Sequence, residues 1–190
     1  MELLENRILK DGVVLPGNVV KVGGFLNHQI DVRLLLEMGR EVSRLFSGDG
    51  VTKILTVEAS GIAIATAFGA VMDVPVLFAK KHGTSNLSGD MLCAKTHSYT
   101  HNTDYNMIVE KQYLDPCDRV LIVDDFLANG AALNSLIDIV SQAGAALAGC
   151  AIAIEKGFQG GGDRLREKGI RVESLALIDS IDGGIIRFRR

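Results

Sequence analysis

Two adjacent carboxylates, Asp124 and Asp125, lie inside the stretch VLIVDDFLANGAAL, residues Val120 to Leu133. Four apolar residues run into them, and the small-residue turn Ala128, Asn129, Gly130, Ala131, Ala132 follows before a segment of helical apolar spacing. Paired acids at a strand end can accept hydrogen bonds from neighbouring hydroxyls and favour positive charge building nearby. Unpaired N–H groups at a helix start favour a phosphate, because the donors and the helix dipole point the same way. Gly130 permits close approach, and Ala131 and Ala132 leave room. The plainer alternative is that the acids only cap the helix. Together the two features fit a sugar phosphate, with hydroxyls on the acids and a 5-phosphate in the turn.

Other residues could serve the same chemistry. Glu58, Ala59, Ser60 and Gly61 form a turn after the strand KILTV, where Ser60 is also a candidate helix cap. Lys80 and Lys81 end the next apolar run and either neutralise a bound anion or form a solvated strand end. Lys81 to Asn106 reads as a polar loop, longer than ordinary connections, and such a segment is a functional lid or an irregular surface loop. Its histidines, His82, His97 and His101, lack metal-ligand spacing. Lys156, just past the strand AGCAIAIE, reads on its own as an exposed cation paired with Glu155, while Phe158 either stacks on a ring or joins the core.

The elements that must position these residues follow from periodicity. DVRLLLEMGREVSRLF, Asp31 to Phe46, has helical apolar spacing behind an Asp that caps its first turn. KILTV, VPVLFA, MIVEK, RVLIV, AGCAIAI and RVESLALI read as strands, and GIAIATAFGAVM and GAALNSLIDIVSQAG as helices between some of them. The order is βαβ, which predicts an α/β fold with a mostly parallel central sheet flanked by helices. Ligands of such sheets sit at the carboxyl ends of strands, where Asp124 and Asp125 fall.

At 190 residues the chain predicts a single domain, residues 1–190. A net charge of −3 with 23% charged residues gives no basic footprint for nucleic acid. Cys93, Cys117 and Cys150 are odd in number and widely spaced, which argues against a disulfide framework and for a reducing cytoplasm. The start MELLENRILK lacks the pattern of a signal peptide, and no apolar run is long enough for a bilayer, so a soluble protein without membrane contact is expected.

The Val120 segment resembles the phosphoribosyl diphosphate (PRPP) signature of type I phosphoribosyltransferases: four apolar residues, two acids, then a small-residue phosphate loop. Asn129 and Ala132 stand where members commonly carry Thr, which removes two hydroxyl contacts to the 5-phosphate, with the Asn129 amide replacing one. GGFLNHQID, VEASGI, VDDFLANG and IEKGFQ extend the similarity over the whole chain, toward the xanthine branch of that family. The resemblance implies the type I phosphoribosyltransferase fold, with a small hood from about residues 1–30 and 155–190 and a long flexible lid loop. It implies transfer of the phosphoribosyl group of PRPP to N9 of xanthine in purine salvage, giving xanthosine 5'-monophosphate and diphosphate, with Mg2+ bound alongside PRPP, in a cytoplasmic homodimer.

Carried over by position, the resemblance makes Asp124 and Asp125 catalytic. It places PRPP on Ala128, Asn129, Gly130, Ala131 and Ala132 and, through its diphosphate, on Glu58, Ala59, Ser60, Gly61 and Lys81. It places xanthine on Val20, Asn27 and Lys156, and the lid at His97, Ser98 and Tyr99; no direct metal ligand is assigned. A lysine and an amide donor suit xanthine, which carries carbonyl oxygens at positions 2 and 6. The rivals are an adenine or other purine phosphoribosyltransferase and a non-catalytic PRPP-binding regulator resembling the purine operon repressors. The latter normally carry an N-terminal winged helix, for which the expected core begins too early.

Overall fold

The computed structural model describes residues 1–82, 90–98 and 103–189, with His82, His97, Ser98, Thr103 and Asp104 described by backbone alone. In chain order the elements are α1 (Glu2–Asp11), β1 (Val13–Leu15), β2 (Val19–Lys21), a π-helical turn (Gly23–Asn27), α2 (Val32–Leu45), β3 (Lys53–Val57), α3 (Ser60–Met72), β4 (Val76–His82), β5 (Met91–Ser98) and β6 (Thr103–Glu110). There follow β7 (Arg119–Leu127), α4 (Ala131–Gln142), β8 (Ala146–Lys156), a short 3-10 turn (Gly157–Gln159), α5 (Gly161–Glu167), β9 (Val172–Asp182) and β10 (Ile185–Phe188).

The central sheet has the order β10-β9-β8-β7-β3-β4-β6-β5. Its middle, from β9 to β4, is parallel, while β10, β6 and β5 join antiparallel at the two sides. The helices cover both faces, as a parallel sheet requires. On one face Ile54, Leu121, Val123 and Ala151 pack with Met38 of α2, Phe68 of α3, and Leu4 and Ile8 of α1. On the other, Leu55, Ile122, Cys150 and Ile152 pack with Leu133, Leu136 and Ile139 of α4. The Asp31 carboxylate caps α2 by accepting from the Leu34 N–H at 3.1 Å, as its place before the periodic run predicts.

Three expectations change. β7 does not stop at the acids: it continues to Leu127, because β8 runs alongside it to Lys156 and supplies ladder partners Ile154 for Phe126 and Glu155 for Leu127. The Lys81–Asn106 segment is not one long loop, since β5 and β6 pair from Met91↔Glu110 to Ser98↔Thr103. Leu92, Ala94 and Thr96 are buried while Lys95 is exposed, the alternation of a strand covered on one face. Polar partners on α4 hide that pattern from a hydropathy reading: the Thr96 hydroxyl donates to Ser135 Oγ at 2.7 Å, and the Gln142 amide exchanges bonds with the Cys93 N–H and C=O at 3.2 and 2.9 Å. Finally, much of the C-terminal segment is sheet rather than hood, with β9 adding parallel to β8.

Candidate active site

Asp124 and Asp125 are 5% and 9% exposed, and their carboxyl groups come within reach of each other near the end of β7. Asp124 Oδ1 accepts from the Asp125 N–H at 2.9 Å, and Asp125 Oδ1 from the Phe126 N–H at 3.0 Å. Asp125 Oδ2 accepts from Asn27 Nδ2 at 3.0 Å. Burial first, and the neighbouring Asp125 charge second, push the Asp124 carboxyl well above the usual carboxylate range, with Lys81 pulling the other way. Two close carboxylates in a dry place store unfavourable charge that a cationic centre would relieve.

The turn after β7 rests on a second turn. Gly130 has φ 83°, a left-handed conformation that glycine adopts freely. Asn129 Oδ1 accepts from the Ala131 N–H at 3.0 Å, so one donor of the expected phosphate cradle is engaged by its own loop. Behind the turn, the Gly161 N–H donates to the Ala128 carbonyl at 3.1 Å and Arg164 Nη2 to the Asn129 carbonyl at 3.2 Å. A Cβ on Gly161 would fall 2.2 Å from the Ala128 oxygen, so this approach requires glycine. Neither Gly161 nor Arg164 stands out in the sequence, because their role is to support a loop some thirty residues earlier.

At the adjacent strand end, Glu58 to Gly61 lead into α3. Ala59 rather than Ser60 occupies the cap position, and no side chain caps the helix, which corrects the reading of Ser60 as a cap. The Glu58–Ala59 peptide is cis. Glu58 Oε1 accepts from the Lys81 N–H at 2.6 Å, which ties this turn to the end of β4. Gly61 is buried against the acids: a Cβ there would lie 2.1 Å from Thr56 Oγ1 and 3.3 Å from Asp124 Oδ1. Lys81 Nζ sits 5.4 Å from the Tyr105 ring centroid. Burial, then the Asp124 charge, hold the Tyr105 phenol above its ordinary range. Tyr105 and Thr56 are thus neighbours of Asp124 that the sequence reading missed; only their places near the carboxyl end of β3 and the amino end of the antiparallel β6 could have flagged them.

On the other side lie the N-terminal residues. Val20 is buried in the β1–β2 hairpin, paired with Val14. Lys156, the last residue of β8, donates from Nζ to the Asn18 carbonyl at 3.2 Å and lies 5.8 Å from the Phe126 ring centroid. Burial lowers its pKa. Glu155 is not its partner, contrary to the plain reading of the sequence: Glu155 is 1% exposed and is held by Arg166 at 2.6 Å. Phe158 is 39% exposed and belongs to no core. Asn27 and Lys156 thus reach two successive residues near the end of β7, Asp125 and Phe126, while Gly61 lies beside Asp124. His97 and Ser98 end β5, and Tyr99 lies outside the described residues.

This geometry can hold a sugar over two acids, an anion on either side, and a flat polar ring against Phe126 and Lys156. No protein-family model matches the chain. Individual relatives do. The chain is 53% identical to a xanthine phosphoribosyltransferase of Lachnoclostridium phytofermentans over 100% of its own length and 98% of the relative's. It is equally identical, over the full length of both chains, to one of Bifidobacterium animalis subsp. lactis. Among solved structures it is similar to adenine phosphoribosyltransferase of Rhodothermus marinus, with a TM-score of 0.73 and 25% identity, over 93% of this chain and 96% of that one. The adenine enzyme of Giardia lamblia, solved with 9-deazaadenine, gives 0.77 at 19% identity, over 93% and 98%.

Proposed function

This chain belongs to the xanthine phosphoribosyltransferase family, and from that membership we propose that it transfers the phosphoribosyl group of PRPP to N9 of xanthine, releasing diphosphate. The observation that carries the reading is the buried pair Asp124 and Asp125 placed directly before the Gly130 turn. The bond from C1' to the diphosphate oxygen breaks and the bond to N9 forms, the purine giving up one proton. Positive charge develops on the sugar between these events, and the two carboxylates are already paid for in the fold, so they stabilise it without reorganisation. The turn at Ala128, Asn129, Gly130, Ala131 and Ala132 takes the 5-phosphate; Glu58, Ala59, Ser60, Gly61 and Lys81 face the diphosphate.

Lys156 and Asn27 meet the purine's polar edge, Val20 shapes the hood, and Phe126 offers a ring face. Relatives at about half identity carry the xanthine name, whereas the adenine enzymes share only the fold and about a fifth to a quarter of residues. That contrast favours xanthine over adenine, and catalysis over a regulator that only binds PRPP. The paired strands β5 and β6, with His97 and Ser98 ending β5, are the proposed cover against water, which would otherwise consume PRPP; the third lid residue expected, Tyr99, lies outside the described residues.

Among the described residues no cluster of three or more His, Cys, Asp or Glu could hold a metal ion. The hard oxygens of Asp124 and Asp125 nevertheless suit a Mg2+ carried mainly by phosphate and ribose oxygens, the usual setting of that ion. Bound there, Mg2+ would offset the charge of the departing diphosphate. The proposal includes one catalytic domain over residues 1–190, a homodimer and a cytoplasmic setting; Cys93, Cys117 and Cys150 are all free thiols. No helix among the described residues is long and apolar enough to cross a membrane.

The test is diphosphate release from PRPP with xanthine, guanine, hypoxanthine and adenine side by side. A marked preference for xanthine is expected. Preference for adenine would move the chain to the sister activity, and PRPP binding without turnover on any purine would make it a regulator.

A further inference from the structure

We infer that Asn27 is the positioning residue for Asp125, so that one side chain of the N-terminal turn joins the purine pocket to the carboxylate facing the ribose. The inference deepens the phosphoribosyl-transfer reading and rests on it. The two residues are 98 positions apart, and Asn27 Nδ2 donates to Asp125 Oδ2 at 3.0 Å. The other oxygen, Oδ1, accepts from the Phe126 N–H at 3.0 Å. Each carboxylate oxygen therefore has one fixed nitrogen donor, and the neighbouring Asp124 carboxyl lies beside the pair. Without Asn27, the Phe126 N–H is the one nitrogen donor of the two that still holds the carboxylate.

Asn27 can hold a partner in place because it is itself held. It ends the π-helical turn Gly23–Asn27, in which Phe25 and Leu26 are wholly buried. The Phe25 and Leu26 N–H groups donate to the Val22 carbonyl at 3.2 and 3.0 Å, and the Gln29 N–H to the Gly23 carbonyl at 2.7 Å. Arg7 covers the Phe25 ring at 5.0 Å. The polarity of the contact is fixed as well: a carbonyl turned toward the carboxylate would repel it, so the amide nitrogen must face Asp125. Only Oδ1 and the second Nδ2 hydrogen remain for the base. Asn27 is therefore not the free amide donor that the base contact alone would require.

A residue that serves only the purine has no influence on PRPP binding when no purine is present. The experiment is calorimetric titration of the full chain with PRPP and Mg2+ in the absence of any base, for wild type, Asn27→Ala, Asn27→Asp, Asp125→Asn and the double variant Asn27→Ala with Asp125→Asn. Asn27→Ala should weaken PRPP on the order of 10-fold, the loss of one hydrogen bond to a charged group. Asn27→Asp keeps the shape of the side chain, so it guards against a mere packing defect, and it should weaken PRPP further by setting two carboxylates against each other. In the Asp125→Asn background, Asn27→Ala should add little, since the pair acts as one unit.

PRPP binding within about 2-fold of wild type for both Asn27→Ala and Asn27→Asp, with a raised KM for xanthine alone, would overturn the inference. So would strictly additive effects in the double variant, which would mark Asn27 as a general support of the fold. Wild type failing to bind PRPP at all is a separate result, which would sink the phosphoribosyl-transfer reading itself.

Discussion

Arg166 donates from both terminal nitrogens to Glu155, at 2.9 Å to Oε1 and 2.6 Å to Oε2, so the carboxylate beside Lys156 in the chain is not its counter-ion in the fold. Ser174 Oγ also donates to Glu155 Oε2. With Glu155 satisfied elsewhere, Lys156 keeps its positive charge for the pocket, and its bond to the Asn18 carbonyl leaves two further ammonium hydrogens. Arg166→Met should leave Glu155 buried with the Ser174 hydroxyl but without a counter-ion. A loss of about 2–3 kcal/mol is expected, below the full figure for a buried pair because Arg166 is 32% exposed. Urea unfolding measures it, and adding Glu155→Gln should recover much of the loss; no loss in the single variant would mean the pair contributes nothing.

Replacing either catalytic acid should act on turnover. Asp124→Asn and Asp125→Asn are each expected to lower kcat by roughly 10²–10³, the scale for removing one preorganised electrostatic contact. Steady-state kinetics at saturating PRPP and xanthine check this. Wild-type turnover in both variants would reduce the acids to structural groups.

The same Asp124 substitution should stabilise the protein. A carboxyl whose pKa is raised in the fold, here by burial and then by Asp125, contributes stability when protonated and loses it as pH rises through the ordinary carboxylate range toward the folded value. At neutral pH the wild type carries that cost and Asp124→Asn does not. Scanning calorimetry without PRPP should give the variant a higher Tm at pH 7.5, the gap closing toward pH 4 as in any such linkage. A lower Tm at every pH would contradict the sign.

Selectivity should depend on Lys156. Lys156→Ala removes a charge-assisted donor worth about 1.5–3 kcal/mol, which is on the order of a 10- to 150-fold fall in kcat/KM for xanthine. Hypoxanthine, without the 2-oxo group, should lose much less. Because burial lowers the Lys156 pKa, the wild-type preference for xanthine should also fade earlier at alkaline pH than a solvated lysine would allow. An equal loss for both purines would assign Lys156 to the phosphates or the fold.

The thiols should separate cleanly. Burial, then the Asp124 charge, push Cys150 up to about 12, while Cys117 is exposed. Thiol titration with an aromatic disulfide at pH 8 should modify Cys117 in the native protein and reach Cys150 only in denaturant, because the thiolate is the reactive form. Rapid labelling of Cys150 in the native protein would show that the interior behind the acids opens readily.

Much was legible in the sequence because it is local. The spacing of apolar residues produced α2, α3 and α4, Asp31 capped α2 where its type and place required, and two acids before a glycine turn marked the carboxyl edge of a strand. Side-chain type and periodicity act over a turn or a strand, so a single pass along the chain recovers them. The tertiary structure decided what depends on neighbours far away in sequence. β7 passes beyond its acids because β8 lies beside it; β5 and β6 become strands because α4 satisfies their polar residues; and Asn27 meets Asp125 because a buried turn carries it there. Lys156 is left without its neighbour Glu155 because Arg166 reaches that carboxylate first. A buried polar group must find a partner, but which partner is settled by packing rather than by order in the chain.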